Sequence, residues 1–469
     1  MDLDKIDSIY FIGIGGIGMS GLARYFHLNG KKISGYDKTP SALTDELIQE
    51  GISVHFEEDI DLIPKDANLI IYTPAITSDH EELAYYREHH YHVIKRADLL
   101  QELTKNSFTI AIAGTHGKTT TTTMIAHILK SSGYDCTAFL GGIAVNYNSN
   151  FLAGKNKTIV VEADEFDRSF LKLCPDIAVI TSCDPDHLDI YGSKDEVVRA
   201  YGEFATLVKP AGFLITKRNL PFLKFMDSTA TIFYYSNEPG VVQRSAKNED
   251  RSADYYSVNG RIEEGTYIFD FKSASAEITN IHLAIAGRHN VENAIAAIAV
   301  ALQLKIPVEE IRQALNTFQG VIRRFQFIIT EGKTIFIDDY AHHPEEIKAI
   351  LKSVREIFTS EKITCIFQPH LFTRTLDFAD DFGEALSLAD EVILLPIYAA
   401  REFPIDGVSS DMLLDKISAG SKIVCEKQNL LNELRKRNLE VVITLGAGDI
   451  DQMIPDIKNY LQQGAAQQP

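Results

Sequence analysis

Short apolar runs rich in β-branched residues alternate along the chain with longer segments whose apolar residues recur about once per helical turn. This alternation predicts α/β structure built on parallel sheets. The pattern of strands and helices occurs as three successive units along the chain, so we expect three α/β domains. Within residues 254–286, alternating polar and apolar positions predict short antiparallel strands. Residues 248–251 are expected to form an exposed loop. We place the three domains at residues 1–106, 107–320 and 321–469.

The apolar run at residues 109–112 is followed by a glycine turn and a helical segment, which is the context of a phosphate-binding loop. Glycines allow backbone N–H groups to close around phosphate oxygens, and the helix N-terminus adds partial positive charge. Lys118 would reach the β- and γ-phosphates of a bound nucleotide, and the Thr119 hydroxyl would bind Mg²⁺. Because Ile112 replaces the first glycine of the usual pattern, the alternative is a tight turn with a solvated lysine. The predicted nucleotide-binding residues here, which the resemblance described below makes ATP-binding residues, are Gly114, Thr115, His116, Gly117, Lys118, Thr119 and Thr120.

A second glycine-rich turn follows the first predicted strand, at residues 8–14. Gly13, Gly15 and Gly18 fit the spacing G-x-G-x-x-G, and Asp37 ends the next strand about where a Rossmann unit holds a ribose. This predicts a nucleotide-binding half-unit, with an ordinary βαβ turn as the alternative. A second half-unit is not evident before the phosphate loop. The domain could therefore hold the diphosphate of a nucleotide sugar as easily as a nicotinamide cofactor.

Side chains that could bind a metal ion, a carboxylate and a histidine, follow two strands of the central domain. Glu162 ends the strand at residues 157–161, and His187 follows the strand at residues 176–181. Strand ends beside a phosphate loop are where a nucleotide-bound Mg²⁺ receives its carboxylate. A solvated acidic loop and a structural histidine are the alternatives, but two such clusters at successive strand ends favour a metal site.

Asn290 and Asn293 lie three residues apart at the start of a long alanine-rich helical segment, so they share one face of its first turn. Their amides could bind an adenine edge, or one of them could cap the helix. The sequence leaves both possibilities open.

Polar residues also follow the predicted strands of the C-terminal domain, at the edge where α/β sheets bind ligands. Asp339, Tyr340 and His342 follow the strand at residues 334–337, and Arg374 follows the strand at residues 363–367. We therefore expect a ligand pocket in this domain.

Composition narrows the class of protein. A net charge of −19 over 469 residues argues against nucleic-acid or anionic-membrane partners, because a basic surface is missing. The five cysteines form no CxxC pair, so a reducing cytoplasm is the expected setting. No apolar run is long enough to span a bilayer, so we expect no membrane insertion, and the N-terminus lacks the basic region of a signal peptide.

Eight segments, taken in order, resemble the ATP-dependent Mur ligases of bacterial cell-wall synthesis. They cover nearly the whole chain and read GIGGIGMS, GTHGKTTT, EADEFDRSF, DHLDIY, GRHNVENA, Arg323-Arg324-Phe325, DDYAHHP and FQPHLFTRT. The resemblance implies a Rossmann-like N-terminal domain, a central P-loop ATPase-type α/β domain and a C-terminal Rossmann-like α/β domain. It also implies an amide-forming ligase that uses ATP and Mg²⁺, as a monomer or weak homodimer.

The implied reaction joins L-alanine to the lactyl carboxylate of UDP-N-acetylmuramate through an acyl phosphate. Lys118, Glu162, His187 and Arg324 would be catalytic, with Thr119, Glu162 and His187 as metal ligands. ATP would also contact Asn290, Asn293, Arg324 and Asp339, and the amino acid would contact Tyr340, His342 and Arg374. The residues implied for the UDP-sugar are Gly13, Gly15, Gly16, Ile17, Gly18, Met19, Ser20, Asp37 and Thr73.

The chain departs from the family pattern at two positions that bear on specificity. Phe166 stands where family members often have Ser, which is nearer the variant in the peptide-recycling ligase. Leu371 stands where the alanine-adding enzymes commonly have one of two carboxylate-binding arginines, which leaves Arg374. A ligase that attaches an intact tripeptide is therefore the nearest alternative. An NAD-dependent dehydrogenase and a non-catalytic nucleotide-binding protein are alternatives of other classes.

Overall fold

The computed structural model describes residues 1–226, 230–238, 253–263, 265–400 and 402–466. The exposed loop expected at residues 248–251 lies outside these ranges. The described residues contain three sheets, which confirms the predicted α/β class. The first two sheets lie largely in one compact unit, and the third lies in a second unit formed mainly by residues 320–469. Each unit is described separately.

The N-terminal sheet has five parallel strands in the order β3-β2-β1-β4-β5. Its elements are β1 (Ser8–Ile12), α1 (Ile17–Leu28), β2 (Lys32–Tyr36), α2 (Ala42–Gln49), β3 (Ser53–His55), β4 (Leu69–Tyr72), α3 (Glu81–Glu88), β5 (Val93–Lys95) and α4 (Arg96–Lys105). The β1 strand is buried along its whole length, as expected for a central strand covered by helices on both faces.

The central sheet has ten strands in the order β15-β14-β13-β12-β11-β10-β6-β9-β7-β8. Its strands are β6 (Phe108–Ala113), β7 (Thr137–Ala144), β8 (Ser149–Leu152), β9 (Thr158–Glu162), β10 (Ile177–Ile180), β11 (Phe213–Lys217), β12 (Thr231–Ser236), β13 (Tyr255–Glu263), β14 (Thr266–Ser273) and β15 (Glu277–Leu283). Its helices are α5 (Lys118–Ser131), α6 (Leu188–Tyr191), α7 (Lys194–Thr206), α8 (Arg288–Gln303) and α9 (Val308–Thr317). The strand that leads into the phosphate loop, β6, lies between β9 and β10, and both of these neighbours are parallel to it.

The C-terminal sheet has six strands in the order β16-β17-β21-β18-β19-β20. Its elements are β16 (Gln326–Ile329), β17 (Ile335–Asp339), α10 (Pro344–Ile357), β18 (Ile363–Phe367), α11 (Phe372–Asp377), α12 (Ala379–Leu386), β19 (Glu391–Leu394), α13 (Ser410–Lys416), β20 (Ser421–Val424), α14 (Leu430–Arg435), β21 (Val441–Leu445) and α15 (Ile454–Ala466). The prediction of a wholly parallel sheet is wrong for β16, which pairs antiparallel with β17. The short connection between these two strands permits a hairpin, whereas a parallel pair would need a long crossover.

The first two sheets share a continuous hydrophobic core. Helix α1 lies against β7 and β8, where the Tyr25 ring contacts Phe139 and Phe151 at centroid distances of 5.7 and 6.4 Å. The buried Arg24 guanidinium donates to Asn150 Oδ1 at 2.6 Å and forms ion pairs with acidic residues of the α2 region. The glycine-rich turn before α1 is therefore fixed relative to the phosphate-loop sheet.

The N-terminal domain contains a buried carboxyl group that should make its stability depend on pH. Tyr10 donates a hydrogen bond to Glu82 at 2.6 Å, and its hydroxyl also lies 2.6 Å from His55 Nε2. Burial raises the pKa of Glu82 from 4.5 to about 7. The folded state therefore binds more protons than the unfolded state between these values, so the free energy of unfolding falls as pH rises through that range.

We expect Glu82 to lower the Tm of the wild-type protein relative to that of Glu82→Gln progressively as the pH rises from 5 to 8. The exposed neighbour Glu81→Gln is the matched control and should keep the wild-type slope. Thermal unfolding of the three proteins across the pH series is the measurement. Parallel pH profiles for wild type and Glu82→Gln would contradict the assignment of this proton to Glu82.

Candidate active site

The phosphate loop has the backbone shape that its glycines predict. Gly114 and Gly117 have φ values of +140° and +81°, in the region that favours glycine. A methyl group at Gly114 would lie 2.0 Å from Thr181 Oγ1, so the loop is also closely packed against the end of β10. The side chains of Thr181 and Ser182 hold the loop there, since Thr181 donates to the His116 carbonyl and Ser182 accepts from the His116 amide. His116 thus contributes to the shape of the loop through its backbone.

Lys118 is the first residue of α5, and its ammonium group is held inside the loop. It donates to the Gly114 carbonyl at 2.7 Å and lies 2.9 and 2.7 Å from the two carboxylate oxygens of Glu165. Burial would lower the pKa of Lys118, but Glu165, Glu162 and Asp164 outweigh it and raise the pKa above its ordinary value. Lys118 therefore remains a cation at neutral pH, ready to bind phosphate.

Glu165 was not among the predicted site residues, although it lies in the EADE sequence. It is buried, and burial raises its pKa to about 7 against the opposing effect of Lys118. The acidic cluster was the signal for a site, but nothing in the spacing distinguishes the carboxylate that pairs with the lysine from the one that faces a metal.

Thr119 and Glu162 lie together as their predicted metal role requires. The Thr119 hydroxyl is 2.9 and 3.2 Å from the two Glu162 oxygens. Gly141 of β7 leaves the space beside them open, because a methyl group there would lie 2.0 Å from Glu162 Oε2 and 2.9 Å from Thr119 Oγ1. A hydroxyl and a carboxylate next to a phosphate loop suit Mg²⁺, which prefers oxygen ligands and substrate phosphates. These residues fit the metal.

His187 has a separate environment. Its Nε2 lies 3.7 Å from Asp186 Oδ2, and its ring packs edge-on against Phe166 at a centroid distance of 5.3 Å. In the described part of the chain, no group of three or more His, Cys, Asp or Glu side chains converges as a metal site. The second metal ion at His187 stays a prediction.

The two predicted adenine-binding asparagines have different surroundings. Asn293 lies against the phosphate loop, since a methyl group at Gly117 would be 2.6 Å from its Oδ1. Asn290 is assigned to the other compact unit, where its Nδ2 donates to the Ala286 carbonyl at 2.5 Å. Helix α8 begins at Arg288, before both residues, so the alternative that one of them caps this helix is wrong. Their contact with adenine stays a prediction.

In the N-terminal glycine-rich turn, Gly16 and Ile17 are exposed, and Gly15 and Gly18 are half-buried. Gly13 has φ +86° and lies against Thr73, and the Gly15 amide donates to Asp37 Oδ2 at 2.8 Å. Gly16 precedes the first residue of α1, Ile17. The Asp37 carboxylate therefore shapes this turn, and its predicted contact with a ribose would have to use its remaining lone pairs.

Met19 and Ser20 are buried, and their predicted contact with the sugar nucleotide stays a prediction. The Met19 side chain is in the shared core, and the buried Ser20 hydroxyl accepts a hydrogen bond from Asn150 Nδ2 at 2.8 Å. Both backbone amides donate to the Gly16 carbonyl at 2.9 Å. Helix α1 starts at Ile17, so these two residues belong to its first turn and to domain packing.

In the second unit, Asp339 ends β17 and is buried. Its Oδ2 accepts from the Phe325 amide and its Oδ1 from the Ala341 amide, both at 2.6 Å. Burial raises its pKa to about 7, although Arg324 and these hydrogen bonds act in the opposite direction. Asp339 therefore fixes the backbone immediately after Arg324 and immediately after Tyr340. Its predicted contact with a ribose stays a prediction. The Arg324 guanidinium lies 5.1 Å from the centre of the Tyr340 ring.

A row of rings continues from Tyr340 toward Arg374. The His342 ring is 5.4 Å from Tyr340 and 6.1 Å from His370. His370 stacks on Tyr398 at 5.7 Å, and its Nδ1 lies 3.2 Å from Arg374 Nη1. This brings the predicted residues Tyr340, His342 and Arg374 to one strand edge. The structure also places His370 and Tyr398 at this edge, although neither was among the predicted site residues. Their positions just after β18 and β19 are the feature of the sequence that could have identified them.

No helix within the described ranges has the length and apolar character needed to cross a bilayer.

Three family models match the chain in sequence order. Residues 8–108 match the Mur ligase family catalytic domain, residues 112–301 the Mur ligase middle domain, and residues 323–448 the Mur ligase glutamate ligase domain.

Similar proteins extend over the full chain. A UDP-N-acetylmuramate–L-alanine ligase from Flavobacterium johnsoniae is 48% identical over 468 residues, covering 99% of this chain and 100% of that protein. The protein of the same description from Porphyromonas gingivalis is 46% identical, covering 97% and 99%. The crystal structure of a UDP-N-acetylmuramate–alanine ligase from Thermotoga maritima has a TM-score of 0.79 and 29% identity, covering 97% and 99%. The resemblance in the eight motifs is thus confirmed over the whole chain, which belongs to the Mur ligase family.

Proposed function

We propose that this protein is an ATP-dependent ligase that joins L-alanine to the lactyl carboxylate of UDP-N-acetylmuramate, releasing ADP and phosphate. The observation that carries the proposal is Lys118 in a phosphate loop beside the Thr119–Glu162 pair. The substrates follow from the relatives that match this chain over nearly its full length. Family membership gives no support to the dehydrogenase alternative.

The chemistry requires positioning and charge neutralisation more than covalent participation of the protein. A carboxylate oxygen of the sugar attacks the γ-phosphorus of ATP, and ADP leaves. The alanine amine then attacks the carbonyl carbon of the acyl phosphate, loses a proton, and phosphate leaves from the tetrahedral intermediate. Both steps move negative charge among phosphate oxygens, so fixed cations near those oxygens lower the barrier.

Lys118 would contact the transferred phosphate, because its ammonium is already held at the loop by Gly114 and Glu165. The Thr119 hydroxyl and the Glu162 carboxylate would hold Mg²⁺, which would neutralise phosphate charge when bound. The N-terminal turn at residues 13–18 would take the diphosphate of the sugar nucleotide. It can do so because its glycines let the backbone approach the anion at the start of α1.

The residues around Arg374 would bind the amino acid. Because Arg374 donates to His370 Nδ1, the neutral imidazole carries its proton on Nε2. The Arg374 guanidinium would bind the alanine carboxylate, with the rings of His342 and Tyr398 limiting the size of the acceptor. A cytoplasmic location and a monomeric or weakly dimeric state remain expectations.

The function is tested by phosphate release from ATP in the presence of UDP-N-acetylmuramate and alternative acceptors. We expect release that depends on L-alanine and is weaker with glycine or L-serine. Release only with the intact tripeptide would identify the recycling ligase instead and would make Phe166 and Leu371 the informative residues. Absence of release with every acceptor would contradict the ligase assignment.

Arg374→Ala should raise the KM for L-alanine by about 10- to 100-fold, since a hydrogen bond to a charged group contributes about 1.5–3 kcal/mol. The KM for ATP should change by less than about threefold, because the triphosphate is assigned to other residues. Initial rates with each substrate varied separately give both constants. The exposed Arg435→Ala is the matched control and should change neither. Equal increases in both KM values would remove Arg374 from the amino-acid pocket.

A further inference from the structure

Arg96 lies against the N-terminal glycine-rich turn, although it is 78 residues from Gly18 in the sequence. A methyl group at Gly18 would lie 2.7 Å from Arg96 Nη1 and 3.4 Å from its Cζ. The third glycine of the G-x-G-x-x-G pattern therefore leaves room for a guanidinium group. In an ordinary Rossmann turn the corresponding glycine allows close packing of the helix on a strand.

Arg96 places a positive charge where the helix dipoles favour an anion. Arg96 is the first residue of α4, and Gly18 is the second residue of α1, so the guanidinium lies near the N-terminal ends of two helices. Helix N-termini carry partial positive charge and favour anions. A cation at a helix N-terminus goes against this preference. Exceptions of this kind are expected at binding sites, where a ligand supplies the compensating negative charge.

One carboxylate partly compensates this charge. Among the described residues, the ion pair of Arg96 is with Asp164, at 3.4 Å between Nη2 and Oδ2. That distance is longer than a strong charge-assisted hydrogen bond, and the Asp164 side chain is 41% exposed. Asp164 also accepts from the Phe166 amide at 3.1 Å, which orients it. The contact can thus position the guanidinium without neutralising it.

We propose that Arg96 is a binding residue for the diphosphate of the sugar nucleotide, held over the glycine-rich turn by Asp164. The proposal rests on the proposed function, because it takes UDP-N-acetylmuramate as the ligand of this turn. Two adjacent phosphates match the planar guanidinium together with the backbone N–H groups at the start of α1. Asp164 acts through Arg96 and is a positioning residue.

The test measures binding of UDP and of uridine to the full-length protein by calorimetry. A saturating non-hydrolysable ATP analogue is present so that the phosphate loop is occupied. Arg96→Gln should weaken UDP binding by about 10- to 100-fold, because charged hydrogen bonds are lost, and should leave uridine binding and the KM for ATP unchanged. Arg96→Lys should recover only part of the affinity, since an ammonium cannot bind two oxygens in the same fork.

Two glycine variants of α1 provide a matched pair. Gly18→Ala should weaken UDP binding nearly as much as Arg96→Gln, because its methyl group displaces the guanidinium. Gly21→Ala should bind UDP like the wild type, because its methyl group would meet Phe139 at an ordinary 3.6 Å.

Three results would overturn the proposal in distinguishable ways. UDP binding that is unchanged in Arg96→Gln would contradict this inference alone. Equal loss of UDP and uridine binding, together with a lower Tm, would show that Arg96 only links the two domains through Asp164. Failure of the wild-type protein to bind UDP or UDP-N-acetylmuramate would contradict both this inference and the proposed substrate.

Discussion

Lys118→Ala should lower kcat by about a thousandfold or more while the Kd for UDP-N-acetylmuramate stays within about twofold of wild type. The substitution removes the one ammonium group that the phosphate loop holds between Gly114 and Glu165. A fixed cation in a water-poor site contributes several kcal/mol to stabilising charge in a phosphoryl-transfer transition state, and each 1.36 kcal/mol is about a tenfold change in rate. Coupled assays of phosphate release, with calorimetry for the sugar nucleotide, measure the two quantities.

Lys130→Ala is the matched control for this prediction. Lys130 is near the other end of the same helix, where it pairs with Asp135 and the Ala153 carbonyl. The control should retain most of the wild-type turnover. Loss of both turnover and sugar-nucleotide binding in Lys118→Ala, with a folded protein by circular dichroism, would show that the two nucleotide sites are misassigned.

Glu162→Gln should lower kcat by about a hundredfold and raise the Mg²⁺ concentration for half-maximal rate by at least about tenfold. The amide keeps the size of the side chain but loses the charge that binds a divalent cation. Gly141→Ala should also lower kcat and raise the Mg²⁺ concentration for half-maximal rate. The reason differs, because its methyl group would occupy the space of Glu162 Oε2. Mg²⁺ titrations of the initial rate measure both variants.

The exposed Glu277→Gln, at the start of β15, is the control for charge loss and should titrate like the wild type. A lower rate in Glu162→Gln with an unchanged Mg²⁺ titration would contradict its role as a metal ligand. An unchanged titration in Gly141→Ala alone would show that the Glu162 side chain can move aside without leaving the ion.

The phosphate loop could be predicted because its conformation depends on local residues. Gly114 and Gly117 occur where positive φ values are required, and the strand before them and the helix after them follow from hydrophobic periodicity. The Thr119–Glu162 pair could be predicted for a related reason. Thr119 follows β6 and Glu162 ends β9, and adjacent parallel strands bring their carboxyl ends to one edge.

The features that could not be predicted depend on contacts between residues far apart in the sequence or on strand direction. Met19 and Ser20 are buried because α1 packs on a second domain, where Asn150 reaches Ser20 across 130 positions. The antiparallel pairing of β16 depends on a short turn at residues 330–334, and apolar runs carry no information on strand direction. Arg96 and Glu165 acquire their significance from Gly18 and Lys118, and a single sequence contains no signal for either pairing.

The most direct test of the central claim follows an oxygen atom from the sugar to phosphate. UDP-N-acetylmuramate labelled with ¹⁸O in the lactyl carboxylate is incubated with ATP, Mg²⁺ and L-alanine, and the released phosphate is analysed by mass spectrometry. An acyl-phosphate route predicts one labelled oxygen in each phosphate, together with UDP-N-acetylmuramoyl-L-alanine as product. Unlabelled phosphate formed alongside that product, or phosphate formed without any amide product, would contradict the account.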